Sequence, residues 1–125
     1  MTNFDIYKFL LLFIMTLTLC HARKPEIIPF LSSYNVEKNE SYQLMCSVSK
    51  GTKPIQFQWF KNGLKLSSNS ELLFDFKPSS STISFDSFLS QHSGNYSCRA
   101  SNSHGFDESI TMLQIKGLLN YSLIF

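Results

Sequence analysis

Residues 92–98 read His-Ser-Gly-Asn-Tyr-Ser-Cys (HSGNYSC). Tyr96 and Cys98 are one side-chain period of a β-strand apart, so ring and thiol lie on one face. The alternation continues through SGNYSCRAS, with Tyr96, Cys98 and Ala100 on one face and Asn95, Ser97 and Arg99 on the other. Gly94 gives the preceding turn its conformational latitude. The Tyr96 ring is expected in the core, its hydroxyl reaching back to backbone in the turn at Ser90–His92. Such a strand carries a thiol inward, and its partner has to come from elsewhere in the chain.

Cysteines stand at positions 20, 46 and 98. The first ends an apolar run, Phe9–Cys20 (FLLLFIMTLTLC), which follows Lys8 and precedes Ala22. The run is well short of the ~20 residues a bilayer span needs. It reads as a secretion signal over residues 1–22, cleaved after Ala22, with small residues at Cys20 and Ala22 in the −3 and −1 positions. Cleavage after Cys20, a membrane anchor and a buried helix are the competing readings. Removal of this segment leaves Cys46 and Cys98 in an oxidising compartment, where two remaining thiols form a disulfide. Zinc is the alternative, but no second Cys lies near either one and the His residues are not at ligand spacing. No metal and no cofactor are expected.

The rest of the chain has period two. In SYQLMCSVS, Tyr42, Leu44, Cys46 and Val48 share a face. The cluster SKGTKP turns the chain, and IQFQWFKNG then points Ile55, Phe57 and Trp59 inward and Gln56, Gln58 and Phe60 outward. Asn62-Gly63 is a turn signal, LKLS a short strand and ELLFDF a less regular one. In TISFDSF, Ile83 and Phe85 alternate and Phe88 falls one residue late. ESITMLQIK places Thr111, Leu113 and Ile115 inward. Short strands between regular turn signals, with no sustained helical period, predict an all-β, two-sheet antiparallel sandwich over residues 25–116. The 12 phenylalanines supply material for its core. Both cysteines are mid-strand, inward-facing and 52 residues apart, so a bridge would cross between the sheets. Closing that loop is worth about 4 kcal/mol on the chain-entropy model. Trp59, on the strand after Cys46, is shaped to pack against it.

Cys46, Trp59 and Gly94-x-Tyr96-x-Cys98 in this order resemble the signature of an immunoglobulin domain. Ala100-x-Asn102-x-x-Gly105 followed by Leu113-x-Ile115 is similar to the intermediate (I-set) type of adhesion receptors. PEIIPF and HSGNYSCRASN resemble modules of the Down syndrome cell adhesion molecule family of arthropods. His92 departs from the Asp usual at that turn in immunoglobulin domains, which removes a carboxylate that would pair with a basic residue.

Three Asn-x-Ser triplets, at Asn39, Asn95 and Asn120, are candidate N-glycosylation sites. The outer face of the sheet holding Trp59, Cys98 and Leu113 would show Gln56, Gln58, Phe60, Asn95, Ser97, Arg99, Ile110, Met112 and Gln114. Phe60, Gln58, Arg99, Ile110 and Met112 form the candidate contact face, because grouped exposed apolar residues mark protein contacts. A glycan on Asn95 would occlude part of it and shift binding toward another surface, such as the edge strand after Pro25. His92 and His104 read as turn residues at opposite ends of the sandwich. No serine has a His and a carboxylate placed for a triad, and no glycine-rich phosphate loop is present, so enzyme chemistry is not expected. A net charge of +2 without a basic cluster gives no ground for nucleic acid.

The remaining segment, 117–125 (GLLNYSLIF), is too short for a membrane span. It reads as a disordered tail or truncation remnant, with a short secreted isoform as the alternative. The chain is thus expected to be a secreted or cell-surface glycoprotein that binds protein. The resemblance implies homophilic cell adhesion and axon guidance, with other immunoglobulin-domain proteins, itself included, as partners. A soluble immune-type binder of foreign surfaces is the alternative.

Overall fold

Strands that alternate apolar and polar residues must bury one face each, and here two sheets bury theirs against each other. The computed structural model describes residues 2–19 and 21–117. An N-terminal helix, α1 (Asn3–Leu19), precedes nine strands: β1 (Glu26–Ile27), β2 (Ser33–Val36), β3 (Tyr42–Lys50), β4 (Gln56–Lys61), β5 (Leu64–Lys65), β6 (Leu72–Phe76), β7 (Ser80–Phe85), β8 (Gly94–Asn102) and β9 (Gly105–Ile115). A 3₁₀ turn, Ser90–His92, leads into β8. One sheet has the order β1-β3-β7-β6 and the other β2-β9-β8-β4-β5. Every pairing is antiparallel except β2 with β9.

The parallel pair arises because the N-terminal segment switches sheets. Ile28 N–H still donates to Ser47 O at 2.9 Å, on the first sheet. Phe30 N–H donates to Ser109 Oγ at 2.9 Å, on the second. Between them, Pro29 has no N–H to leave unpaired at the crossing. Phe30 then stacks on Trp59, ring centroids 6.1 Å apart.

The expected bridge is formed: Cys46 of β3 and Cys98 of β8 are disulfide-bonded across the two sheets, with a Cα–Cα distance of 6.4 Å. Trp59 is the register partner of Cys98, and Ser81 that of Cys46. Around them Leu44, Ile83, Phe85, Ala100 and Leu113 are buried. Phe88, beyond the end of β7, is also fully buried, edge-on to Phe85 with centroids 5.2 Å apart.

Turns close the two ends. At one, Asn39 adopts a left-handed backbone (φ 68°), and its N–H donates to Phe88 O at 2.9 Å. At the same end Asn62 Oδ1 accepts the Asn95 N–H at 3.0 Å. Gly94 fits the close approach there, since a Cβ would lie 3.1 Å from Asn62 Oδ1 and Lys61 Cε and push both side chains aside. At the opposite end Pro25 is fully buried against Gly51, where a Cβ would come within 2.9 Å of the Pro25 Cα. The apolar side chains of α1 from Phe4 to Ile14 are exposed, and no helix among the described residues is long and apolar enough to cross a membrane. Of the segment 117–125 only Gly117 is described, and Asn120 lies outside the described residues.

Candidate contact face

Because β4, β8 and β9 alternate, their outward residues form three adjacent rows. Gln58, Arg99 and Glu108 share one register line, and Phe60, Ser97 and Ile110 the next. Asn95 and Met112 form the third. Arg99 lies on the middle strand, in the first of these rows. Its guanidinium lies over the Phe106 ring at 4.5 Å and over the Phe60 ring at 5.6 Å. Those rings occupy two of the diagonal positions, one on each neighbouring strand, within reach of a long side chain on a sheet. Arg99 Nη2 also meets Glu108 Oε2 at 3.4 Å. A flat cation between two aromatic faces gains from both quadrupoles and keeps its methylene stem dry. The result is a pre-ordered platform rather than a loose arginine.

Around this clamp the face is apolar: Phe106 is 52% exposed, Ile110 61% and Met112 42%. Gln58 and Phe60 are half-buried. Ser97, expected outward, does lie on this face but is buried, between its register partners Phe60 and Ile110. Phe106 and Glu108 belong to the platform and were not among the candidate residues. The signal was present, since they continue the even-numbered phase of Ile110 and Met112. Phe106 was missed because β9 begins at Gly105, before the expected strand ESITMLQIK; Glu108 lies inside that stretch but is charged, and only its contact with Arg99 brings it into the platform.

The two remaining sequons differ in setting. Asn39 is exposed in its turn, while Asn95 is exposed on β8 beside Met112. From Asn95 to Arg99 is four residues of strand, about 13 Å.

Tyr96 and His92 organise the end below this face. The Tyr96 hydroxyl donates to His92 O. Burial pushes the Tyr96 phenol well above its ordinary pKa of 10.0. Lys61 spans the same corner, its ammonium 5.8 Å from the Tyr96 ring centroid and bonded to Gln91 O. Burial lowers the Lys61 pKa. His92 lies in the 3₁₀ turn and is buried there, packed against Phe85 and Phe88. Its Nδ1 accepts the Leu89 N–H at 2.9 Å and its Nε2 meets Glu71 Oε2 at 3.1 Å. The exchange of Asp for His therefore does not leave this turn without a carboxylate partner: Glu71 brings one from the start of the neighbouring strand. The sequence shows His92 but not Glu71, which is 21 residues away.

Among the described residues no group of three or more His, Cys, Asp or Glu is placed to hold a metal ion.

Comparison with known proteins places these features. A family model described as "Immunoglobulin domain" matches residues 24–102, more than half of the chain. The chain is 31% identical over 96 residues to vascular endothelial growth factor receptor 1 of Mus musculus, covering 77% of this chain and 7% of that receptor. It is 30% identical over 96 residues to cell adhesion molecule Dscam2 of Drosophila melanogaster (74% of this chain, 4% of that protein). It is 30% identical over 69 residues to junctional adhesion molecule A of Homo sapiens (50% and 23%). The chain thus spans a small part of the length of these relatives. Among solved structures, the Dscam1 Ig7 domain, isoform 5, superposes with a TM-score of 0.67 at 24% identity (74% of this chain, 97% of that one). Titin M4 does so with 0.69 at 18% identity (76% and 98%).

Proposed function

This chain belongs to the immunoglobulin domain family and resembles Dscam modules, and from that premise we propose that it is an extracellular recognition module that binds protein through the outer face of its five-stranded sheet. The observation that carries the reading is the Arg99 clamp between Phe60 and Phe106, bordered by exposed Ile110 and Met112. Arginine and aromatic side chains held in place dominate protein interfaces, because little entropy remains to be lost on binding. The partners are other immunoglobulin-domain proteins, a second copy of this chain among them. The named adhesion relatives support that choice. Homophilic adhesion, and from it axon guidance, is the specific form of the reading.

Residues 1–22 serve as a secretion signal, supported by the short apolar helix α1 and the small residues at Cys20 and Ala22. In the secretory pathway Asn39 and Asn95 accept glycans, as does Asn120. A glycan on Asn95 would lie beside Met112, about 13 Å of strand from Arg99, and binding through this face requires the Arg99 end to stay accessible.

The test is clustering of beads coated with the protein secreted from eukaryotic cells. Clustering that is abolished by Ile110→Asp and by Arg99→Ala, and kept by Met45→Ser on the opposite sheet, is the expected result. Clustering unaffected by both face variants would sink the reading. Binding to microbial surfaces without self-clustering would favour a soluble immune-type recognition protein instead.

A further inference from the structure

The sandwich is open along one side, where β6 ends one sheet and β5 ends the other. Because β5 is only two residues long, a groove of about 560 Å³ remains between these edges. Phe57, Leu66, Phe74 and Phe76 give it an apolar lining, and Trp59 borders it. The Phe74 and Phe76 rings stack at 6.1 Å, and Phe76 is 58% exposed.

Among the described residues, part of the β6 backbone is unpaired on the side away from β7. Lys77 N–H donates to Ser80 O at 2.8 Å, and the register continues Phe76↔Ser81, Asp75↔Thr82, Phe74↔Ile83. In an antiparallel pair the bonding direction alternates residue by residue. Residues 77, 75 and 73 therefore address β7, and Leu72, Phe74 and Phe76 point their N–H and C=O groups the other way. Leu72 is capped by Asn69: its N–H donates to Asn69 Oδ1 at 2.9 Å, and its carbonyl accepts the Asn69 N–H at 3.1 Å. Among the described residues, Phe74 and Phe76 have no such cap. They present two donors and two acceptors at the spacing of a strand ladder.

Charge selects the occupant. Lys65 and Lys77 line the groove and no carboxylate does. Asp75 is on the outer side of β6, 3.7 Å from Lys77 Nζ. Neither Asn39 nor Asn95 lies on β6 or along the groove. We propose that the free edge of β6 takes up an extended segment of a protein partner as an added strand, one with an apolar centre bordered by acidic residues. The Phe74 and Phe76 backbone groups supply the ladder, the aromatic lining takes the apolar side chains, and the two lysines meet the acids. A second copy of β6 fits less well, because the carboxylates that border it, Glu71 and Asp75, already face His92 and Lys77, and it would bring another Lys77 to the rim. The proposal rests on the reading of this chain as a protein-recognition module, but it uses a different surface.

A blocked peptide of three valines between two aspartates is the probe, with a lysine-flanked counterpart as control. Trp59, the single tryptophan, reports occupancy by fluorescence, and hydrogen exchange reads the Phe74 and Phe76 amides. Expected is a Trp59 shift with the acidic peptide, a slowing of both amides by about tenfold at saturation, and weaker binding of the lysine peptide. Lys65→Gln with Lys77→Gln, both distant from the disulfide, lowers the affinity by about threefold and flattens its salt dependence. No shift at millimolar peptide overturns the proposal. So does a shift without amide protection, which marks apolar binding alone, or protection of the same amides on concentrating the chain by itself, which marks a second copy. Ile110→Asp leaves peptide binding intact, so failure of this site and failure of the Arg99 face read out separately.

Discussion

Trp59 Nε1 donates a buried 2.8 Å hydrogen bond to Ser81 Oγ. These two residues are the cross-strand neighbours of Cys98 and Cys46. Two links between the sheets thus lie side by side here, one covalent and one an indole reaching a serine hydroxyl. A buried indole N–H without an acceptor would be costly. Ser81 supplies that acceptor at a position where an apolar residue would otherwise be expected.

Ser81→Ala should therefore destabilise the domain by about 1–3 kcal/mol, well beyond the loss of one small side chain. Adding Trp59→Phe, which removes the orphaned donor, should cost less than the sum of the two single changes. Denaturant midpoints of the disulfide-intact single and double variants measure both effects. Strict additivity would show that the bond contributes nothing.

Tyr96 makes the fold sensitive to alkali. Burial raises its pKa above 10.0, so the folded state holds the phenol protonated where an unfolded chain would ionise it. That stability is complete below pH 10 and is lost as the pH climbs from there toward the raised value. Tyr42, also raised by burial with Tyr34 beside it, adds in the same direction. Tyr96→Phe should cost about 1 kcal/mol at neutral pH through the lost bond to His92 O. It should also flatten the fall in thermal midpoint between pH 10 and 11.

The His92–Glu71 pair predicts a charge-swap result. Leu89 N–H can only donate, so His92 Nδ1 is the acceptor and Nε2 carries the proton toward Glu71. His92→Asp would set a carboxylate against Glu71 and lower stability by about 1–3 kcal/mol. Combining it with Glu71→Arg should recover much of that loss. Glu71→Gln alone, with a largely exposed side chain, should stay within about 0.5 kcal/mol. Thermal midpoints of the four proteins decide it, and no recovery in the double variant counts against the pairing.

Arg99→Lys keeps the charge yet loses the flat face that fits between Phe60 and Phe106. It should change stability by less than about 1 kcal/mol. Bead clustering should nevertheless weaken nearly as much as with Arg99→Ala. Full clustering by the lysine variant would mean that charge alone matters.

The fold takes hold of the chain at Arg23. The Arg23 N–H donates to Thr52 Oγ1 at 2.9 Å, and its carbonyl accepts from Thr52 N at 3.0 Å and from Asn102 Nδ2 at 2.7 Å. If residues 1–22 are removed, the new amine stays seated on Thr52. Intact mass of secreted protein should give a chain beginning at Arg23. Its α-amine should react with acylating reagents about tenfold more slowly than that of a Thr52→Val variant. A chain beginning at His21 would move the cleavage, and an uncleaved chain would remove the secretion signal altogether.

The strand faces were legible in the sequence. Tyr96, Cys98 and Ala100 read as one buried face from alternation alone, and all three are buried. The pairing of Cys46 with Cys98 was legible as the two thiols that remain when residues 1–22 are read as an expected secretion signal. The clamp was half legible: Phe60, Arg99, Ile110 and Met112 could be assigned to one face, but nothing in the string says that Phe106 lies diagonal to Arg99. The partner of His92 and the acceptor for Trp59 were not legible, because these contacts join residues 21 and 22 positions apart in segments that are not consecutive, and the free edge of β6 was not, because it depends on which strand ends the sheet.

By itself, then, the sequence determined which residues face inward, because side-chain direction in a strand alternates through local covalent geometry. Only the tertiary structure decided which strands end the sheets and which residues meet across them. Register and strand order are set by how two whole faces pack together, and no single stretch of chain carries that.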